Sequence, residues 1–193
     1  MKIAAVILAG GEGRRIGGGK PLRMLGGMTL LERALRQARQ WSDAVAIAVR
    51  DEGQVGRTDL PTVLDEPGIE GPLGGLAAGL RFAQETRRDA LLSLPADMPF
   101  LPEDLSPRLE QAIGGRLAAL ASSGGHLHPV CGLWRTGAFD RLPAYLGSGK
   151  RSLKGFAETI GFAAVDWPAG PSDPFLNINS AEDLAWAEQL IRG

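Results

Sequence analysis

The chain has 193 residues, of which 44% are hydrophobic, so it is long enough for one domain with a full core, and we expect a single domain over residues 1–193. Its formal net charge of −1 gives no basic field for nucleic acid or a membrane surface. The single cysteine, Cys131, excludes an internal disulfide and a cysteine metal cluster, and it is interpreted as a small buried apolar residue.

The first predicted strand, residues 3–8, is a continuous apolar run that indicates burial on both faces of a parallel sheet. The chain enters this strand directly after Lys2, so no signal peptide is expected. No apolar run approaches the length of a membrane span. A cytoplasmic protein is therefore predicted.

A glycine-rich stretch follows the first strand and places Arg14, Arg15 and Lys20 close together, with only Glu12 opposing them. Glycines let backbone N–H groups approach a ligand closely, and N–H groups together with Arg and Lys suit a polyanion. The stretch predicts a phosphate-binding loop in which Arg14 and Lys20 hold the phosphates. Taken alone, a flexible glycine turn with solvated charges is the alternative.

Two familiar phosphate-binding patterns do not fit this loop. A P-loop needs glycine six residues before its lysine and Ser or Thr directly after it, but Arg14 and Pro21 stand at those positions. The dinucleotide pattern begins well at Gly11 and Gly13 but has Ile16 in its third glycine position, which disfavours an NAD-binding module. The loop is of a third type.

The rest of the chain alternates between strands and helices. Thr29 and Glu32 have the spacing of a helix capping box, and the apolar spacing that follows predicts a helix over residues 30–40. Further strands are predicted at 44–49, 62–64, 90–94, 116–121, 126–134 and 162–165, and further helices at 76–85, 102–113, 136–146, 152–160 and 181–191. This order predicts an α/β domain with a largely parallel sheet.

Two aspartates follow predicted strands, at the edge where open α/β sheets bind ligands. Asp65 ends the strand at 62–64, and Asp97 follows the strand at 90–94. A carboxylate near a triphosphate would repel it unless a divalent cation lay between them, and Mg²⁺ typically uses one or two carboxylates plus phosphate oxygens. Asp97 is therefore predicted to bind Mg²⁺, with a turn-capping role as the alternative.

Two further groups are candidates in the second half of the chain. His126 and His128 share one predicted strand, but no third ligand is evident, which disfavours a metal site there. Lys150 and Arg151 precede the predicted helix at 152–160, whose N-terminus adds partial positive charge. This arrangement suits an anion, although a solvated pair of charges is the alternative.

Several segments together resemble the molybdenum cofactor guanylyltransferase family. They are Leu8-Ala9-Gly10-Gly11 with Arg14-Arg15-Ile16-Gly17 and Lys20, then Gly71-Pro72-Leu73-Gly74-Gly75, Asp97-Met98-Pro99, His128-Pro129 and Asn177-Ile178-Asn179-Ser180. The resemblance spans residues 8–180. It implies a three-layer Rossmann-like α/β fold of the nucleotide-diphospho-sugar transferase (glycosyltransferase-A-like) type, with a mostly parallel mixed sheet.

The resemblance also implies a reaction, namely the Mg²⁺-dependent transfer of GMP from GTP to molybdopterin, with release of pyrophosphate. Cofactor-delivery and acceptor proteins are further partners that it implies. The predicted catalytic residues are Arg14, Lys20 and Asp97. The predicted nucleotide contacts are Leu8, Ala9, Gly10, Gly11, Gly13, Lys20, Asp65, Gly71, Pro72, Leu73, Gly75 and Asp97, and Asp65 would contact nucleotide or metal. The predicted second-substrate contacts are His128, Lys150, Arg151, Asn177 and Asn179.

The chain departs from the family pattern at three places. Gly19 and Gly74 stand where the family often has Asp and Ala, and both changes look tolerable. An Asn that is frequent at the end of the second strand is missing, with Ala48, Val49 and Arg50 there instead. That nucleotide contact is therefore not carried over to this chain.

Two alternative functions stay open. The first is a cytidylyltransferase acting on the same cofactor with CTP. Such relatives tend to carry alanine where Gly10 or Gly11 sits and lack the Gly-Pro-Leu segment, so GTP is favoured. The second is a non-catalytic nucleotide-binding regulatory domain. The joint presence of Arg14, Lys20 and Asp97 disfavours it, because a binding module has no need of a complete charge clamp.

Overall fold

The computed structural model describes residues 1–10, 19–169 and 173–192. Its strands are β1 (Ile3–Leu8), β2 (Met24–Leu25), β3 (Met28–Thr29), β4 (Ala44–Val49), β5 (Thr62–Leu64), β6 (Ala90–Pro95), β7 (Ala118–Ser123), β8 (His126–Arg135) and β9 (Phe162–Trp167). Its helices are α1 (Leu30–Trp41), α2 (Pro72–Glu85), α3 (Leu105–Ile113), α4 (Leu142–Gly147), α5 (Leu153–Ile160) and α6 (Ala181–Arg192). Short 3₁₀ helices cover Lys20–Leu22 and Thr136–Arg141.

Seven strands form one sheet in the order β5-β4-β1-β6-β8-β7-β9. Strand β8 runs antiparallel to both of its neighbours, β6 and β7, and the other pairings in this sheet are parallel. The mostly parallel mixed sheet predicted from the sequence is therefore confirmed. A separate two-stranded hairpin, β2 and β3, follows the first 3₁₀ helix where the sequence predicted only a short connection.

The alternation of side chains along β1 explains the three layers. Ile3, Ala5 and Ile7 belong to the core shared with α1 and α3, whereas Ala4 and Val6 belong to the core shared with α2, α4 and α5. Successive residues of a strand point to opposite faces, so a continuous apolar strand requires a layer of helices on each side. The predicted three-layer α/β architecture follows from this arrangement.

The predicted capping box of α1 is present. The Glu32 backbone N–H donates to Thr29 Oγ1 at 3.1 Å, and the Thr29 backbone N–H donates back to Glu32 Oε2 at 2.7 Å. These bonds satisfy donors that a helix N-terminus otherwise leaves free. The local sequence signal and the structure agree at this position.

Helix α2 begins at Pro72, four residues before its predicted start. Pro at the first helical position has no N–H to leave unsatisfied, and Gly71 before it adopts a φ of 70°, which favours glycine. Gly74 and Gly75 precede the helix predicted at 76–85, and glycine is a poor helix former. They are tolerated inside the helix because the helix packs closely against the sheet there, as the contacts of Gly75 described below illustrate.

The remaining differences concern element ends and the C-terminal half. Helix α3 starts three residues later than predicted, β7 starts two residues later, and the predicted helix at 136–146 is a 3₁₀ helix followed by the short α4. Helix α6 packs on the β2–β3 hairpin through a small cluster of Leu25, Leu30, Ile178 and Ala187. Within the described ranges, none of the helices is both long and apolar enough to span a bilayer.

Candidate active site

The candidate site lies at one edge of the sheet, where several parallel strands end together. Strands β5, β4, β1 and β6 are consecutive in the sheet and parallel to one another, so their carboxyl ends share this edge. Asp65 directly follows β5, and Asp97 lies two residues beyond β6. The edge rule used on the sequence therefore places both aspartates on the same side of the sheet.

A cavity of about 210 Å³ opens at this edge. The predicted site residues that line it are Leu8, Gly10, Asp65, Gly71, Pro72, Gly75, Asp97 and Asn177. Arg50, Pro95 and Val130 line it as well. Arg50 directly follows β4, so the rule that identified Asp65 and Asp97 would also have found it.

Glycines allow the Asp65 side chain to occupy its place in the cavity wall. A Cβ on Gly10 would lie 2.9 Å from Asp65 Oδ2, and a Cβ on Gly75 would lie 3.2 Å from Asp65 Oδ1 and 2.9 Å from Leu8 Cδ2. Helix α2 can therefore approach the end of β1 only because residue 75 has no side chain. The sequence predicted nucleotide contacts at these glycines, and the structure adds that they make room for a carboxylate.

The Asp65 carboxylate has unused hydrogen-bonding capacity. Its Oδ1 atom is buried and makes no hydrogen bond to any described residue. Burial raises the pKa of Asp65, and the nearby positive charge of Arg50 offsets part of this increase. A buried acceptor without a donor is costly, so it points to a donor that is supplied from elsewhere.

Lys20 and Asp97 form an ion pair on the other side of the cavity. Their side chains are only 12% and 23% exposed, and the Lys20 ammonium also donates to Asn179 Oδ1 at 2.7 Å. The Ile178 backbone N–H donates to the Asp97 carbonyl at 2.9 Å, which holds this closing segment beside β6. Asn179, which was predicted to contact the second substrate, thus accepts a hydrogen bond from Lys20, the predicted phosphate-binding lysine.

The donor set around Asp97 fits a Mg²⁺ ion that is held mostly by a substrate. Among the residues the structure describes, no group of three or more His, Cys, Asp or Glu side chains is suited to a metal, so these residues alone do not form a complete cage. Mg²⁺ characteristically needs only one or two protein carboxylates when phosphate oxygens supply other ligands. Asp97 provides such a carboxylate, with Lys20 as its present counter-charge.

The other predicted contacts fall into three groups. Leu73 is buried in the core between α2 and the sheet, and Ala9 uses its backbone to bond to Ala48 and Gln54. Lys150 and Arg151 lie beside α4 and α5 and line a separate groove with Tyr145. The Arg151 guanidinium donates to the carbonyls of Leu146 and Lys150. Gly11, Gly13 and Arg14 lie outside the described residues, so their roles stay predictions.

His128 lies near the cavity but not among its lining residues. It belongs to β8, two residues before Val130, which does line the cavity. Its Nε2 atom is 2.7 Å from Ser123 Oγ, and its ring stacks on Phe175 with 4.6 Å between centroids. Neither Ser123 nor the Asp173 side chain next to it was predicted as a site residue, since no local sequence pattern connects them.

The sheet and the candidate site together are those of a nucleotidyltransferase-type α/β protein, with the cavity at the carboxyl edge between acidic and basic side chains. The model of the MobA-like NTP transferase domain family matches residues 5–161. This chain belongs to the MobA-like NTP transferase family.

Known relatives match over the whole length. A protein of Cereibacter sphaeroides named molybdenum cofactor guanylyltransferase is 41% identical over 194 residues, which cover 100% of this chain and 98% of that protein. A protein of the same name from Rhodopseudomonas palustris is 43% identical, and the match covers 96% of this chain and 91% of the relative.

Solved structures agree with this assignment. The structure of molybdopterin-guanine dinucleotide biosynthesis protein A from Archaeoglobus fulgidus is similar with a TM-score of 0.78 at 26% identity, over 100% of this chain and 99% of that one. A 4-diphosphocytidyl-2C-methyl-D-erythritol synthase from Anaerococcus prevotii has a TM-score of 0.77 at 15% identity, covering 100% and 96%, and so shares the fold. The predicted fold class and family are confirmed.

Proposed function

We propose that this chain transfers GMP from GTP to the terminal phosphate of molybdopterin in the molybdenum cofactor, releasing pyrophosphate and forming a guanine dinucleotide. The names of the full-length relatives support this assignment. The observation that carries it is the single cavity that joins Asp65 on one side with Asp97, the partner of Lys20, on the other. That arrangement suits a ligand with a base at one end and phosphates at the other.

The base side of the cavity is suited to guanine. A carboxylate can only accept hydrogen bonds, and Asp65 has a buried oxygen without a donor. Guanine presents two adjacent donors, N1–H and the N2 amino group, whereas adenine and cytosine pair a single amino donor with an acceptor. Gly10 and Gly75 line the cavity beside this carboxylate and present no side chain to a flat base. We therefore place the guanine against Asp65.

The phosphate side is suited to a reaction that needs positioning more than proton transfer. A phosphate oxygen of molybdopterin attacks the α-phosphorus of GTP, a new P–O bond forms, and the bond to the β-phosphate bridging oxygen breaks, so that pyrophosphate leaves with the electron pair. The attacking group is already an anion, so no strong general base is required. Lys20 offsets the negative charge of the phosphates, and Asn179 holds the Lys20 ammonium in place.

A Mg²⁺ ion held at this site would supply positive charge against the phosphates. Asp97 would hold it, and Lys20 would then exchange its carboxylate partner for a phosphate oxygen. Arg14 would add a second cation to the phosphates from the glycine-rich stretch. Proteins that deliver or accept the labile cofactor are further proposed partners.

Nucleotide binding tests this function directly. Isothermal calorimetry should compare GTP with CTP, ATP and NAD in the presence and absence of Mg²⁺. The proposal expects a preference for GTP that strengthens with Mg²⁺, followed by turnover with molybdopterin. Preference for CTP would move the assignment to a cytidylyltransferase, and absence of nucleotide binding would remove it.

Asp97→Asn should keep the fold and lose nearly all turnover, because the amide cannot serve as the anionic ligand that Mg²⁺ needs. Its matched control is Asp140→Asn, which changes an exposed carboxylate on the 3₁₀ helix before α4. Circular dichroism should show the same folded state for both variants. Near-normal Mg²⁺-dependent turnover in Asp97→Asn would show that this role is wrong.

A further inference from the structure

A hydrogen-bonded cluster beside the site joins two side chains at the turn between β7 and β8 to one from a distant part of the chain. Ser123 Oγ lies 2.7 Å from His128 Nε2 and 2.9 Å from each carboxylate oxygen of Asp173. Ser123 is fully buried, whereas His128 is half-buried. The function proposed above uses none of the three beyond the predicted contact at His128.

Counting protons fixes the direction of these hydrogen bonds. A carboxylate only accepts, so the single hydroxyl proton of Ser123 is donated to Asp173. The contact between Ser123 Oγ and His128 Nε2 then requires that Nε2 carries a proton and donates it. This is the reverse of a nucleophilic triad, in which the histidine accepts the serine proton, so the cluster does not activate Ser123.

Aromatic packing fixes the plane of the imidazole. The rings of His128 and Phe175 stack with 11° between their planes, and Trp167 and Phe175 pack in a T-shaped arrangement with 5.5 Å between centroids. The Phe175 backbone N–H donates to Asp173 Oδ1 at 2.9 Å, so the stacking ring and the carboxylate are held together. The stacking fixes the plane of the His128 imidazole, and the contact with Ser123 fixes its Nε2 atom, so Nδ1 points in one defined direction.

The charge state follows from the surroundings of the ring. Burial lowers the pKa of His128, and nearby His126 lowers it further, while the negative charge of Asp173 raises it by less than burial lowers it. The imidazole is therefore neutral at neutral pH. A neutral ring with a proton on Nε2 has a lone pair on Nδ1 and accepts a hydrogen bond there.

The strand order shows which ligand this acceptor would meet. Asp65 follows β5 at one edge of the sheet, Asp97 follows β6 in the middle, and the cluster lies where β7 ends and β8 begins, beyond β6. With the base at Asp65 and the reacting phosphates at Asp97, the group that attacks those phosphates approaches from the far side. His128 lies on that side.

We propose that Ser123 and Asp173 are positioning residues that hold His128 as the Nε2–H tautomer, so that Nδ1 accepts a hydrogen bond from an N–H or O–H donor of the second substrate. This inference rests on the proposed function for the identity of that substrate. It also specifies the predicted second-substrate contact at His128, because a neutral acceptor recognises an N–H or O–H donor and not a phosphate.

The tautomer can be measured without any substrate. The chain has only two histidines, so His126→Gln leaves His128 as the sole source of imidazole signals in a long-range ¹H–¹⁵N correlation spectrum. The expected result at pH 7 is a neutral ring protonated at Nε2. A charged ring, or a ring protonated at Nδ1, would overturn the inference whether or not the protein turns over GTP.

A second serine–carboxylate pair, formed by Ser122 and Asp166, provides matched control variants for the cluster. Ser122 Oγ donates to Asp166 Oδ1 at 3.0 Å, so Ser122→Ala removes a similar hydrogen bond and Asp166→Asn a similar negative charge outside the cluster. Ser123→Ala should leave a mixture of tautomers. Asp173→Asn should lower the pKa of His128 further, because the attraction of the carboxylate is lost. The control variants should keep the wild-type spectrum.

The kinetic consequence is confined to one substrate. Losing one neutral hydrogen bond should weaken equilibrium binding of molybdopterin and raise its KM roughly 2- to 10-fold in Ser123→Ala, while the KM for GTP stays unchanged. An unchanged affinity for molybdopterin in a variant that has lost the tautomer would refute the recognition role. If the wild-type protein binds no GTP, the proposed function fails, and the tautomer measurement still decides the positioning role.

Discussion

Asp65→Asn should make the protein more stable at neutral pH and weaken its binding of GTP. The substitution keeps the size of the side chain, which matters because Gly10, Gly74 and Gly75 pack around it. It removes the negative charge of a carboxyl group whose pKa is raised by burial. It also removes the cost of keeping a charged oxygen, Oδ1, buried without a hydrogen-bond donor. The same charge is the proposed acceptor for guanine, so stability and binding should change in opposite directions.

The structure sets the size of both effects. Relief of a partly buried, unpaired charged acceptor should contribute about 1 kcal/mol, at the low end of the usual range because Arg50 already compensates part of the charge. For a chain of this length that corresponds to a rise in Tm of about 2–4 °C. Loss of hydrogen bonds to a charged acceptor should cost about 1.5–3 kcal/mol of binding free energy, so the affinity for GTP should fall roughly 10- to 150-fold.

Thermal unfolding measured by circular dichroism over a range of pH tests the stability effect. The pKa of Asp65 is raised in the folded protein, so its ionisation costs folding free energy. This cost is complete at a pH above the raised pKa and is absent at a pH below the ordinary pKa of an aspartate. The gain from Asp65→Asn should therefore shrink as the pH falls through the raised pKa. Asp43→Asn, which removes an exposed carboxylate paired with Arg88, should give no gain. A lower Tm for Asp65→Asn at pH 7, or a gain that does not depend on pH, would refute the reasoning.

Two further predictions concern packing and capping. Gly79→Ala in α2 should lower the free energy of unfolding, measured by chemical denaturation, by about 1 kcal/mol. The new Cβ would lie 2.7 Å from Val6 Cγ1 and 2.8 Å from Leu91 Cδ2, and this overpacking costs more than the gain in helix propensity. Gly147→Ala, with open space around it, should show no loss. Asp183→Ala should lower stability by about 1 kcal/mol at pH 7, because Asp183 accepts from the backbone N–H groups of Asn179 and Ser180 at the start of α6. Those bonds lower the pKa of Asp183, so the difference from wild type should vanish as the pH falls through that lowered value, and a constant difference in acid would contradict this origin.

The sequence predicts most of the sheet because its strands are local, continuous apolar runs. It does not predict the direction of β8, since an antiparallel strand and a parallel strand carry the same local pattern. The start of α2 was missed for a different reason. Its glycines look unfavourable in isolation, and the close approach of Gly75 to Leu8 that favours them becomes visible only in the folded chain.

The same distinction applies to the site. Asp65 and Asp97 could be found because the end of a parallel strand is a position that the sequence reveals. The contact between Lys20 and Asn179 joins residues 159 positions apart, and the bond between Ser123 and Asp173 joins residues 50 positions apart. Neither pair has a local signal, although the family resemblance had drawn attention to Asn179.

The closing segment before α6 explains why such distant residues matter together. Within residues 173–179, Asp173 accepts from Ser123, Phe175 stacks on His128, Asn177 lines the cavity and Asn179 accepts from Lys20. One short segment thus contacts both the proposed second-substrate side and the proposed phosphate side. Since the Ile178 backbone also bonds to the Asp97 carbonyl, a shift of this segment would move both sides at once. We therefore expect substitutions that displace the backbone of this segment to change the use of both substrates, whereas substitutions at Asp65 should act on the nucleotide alone.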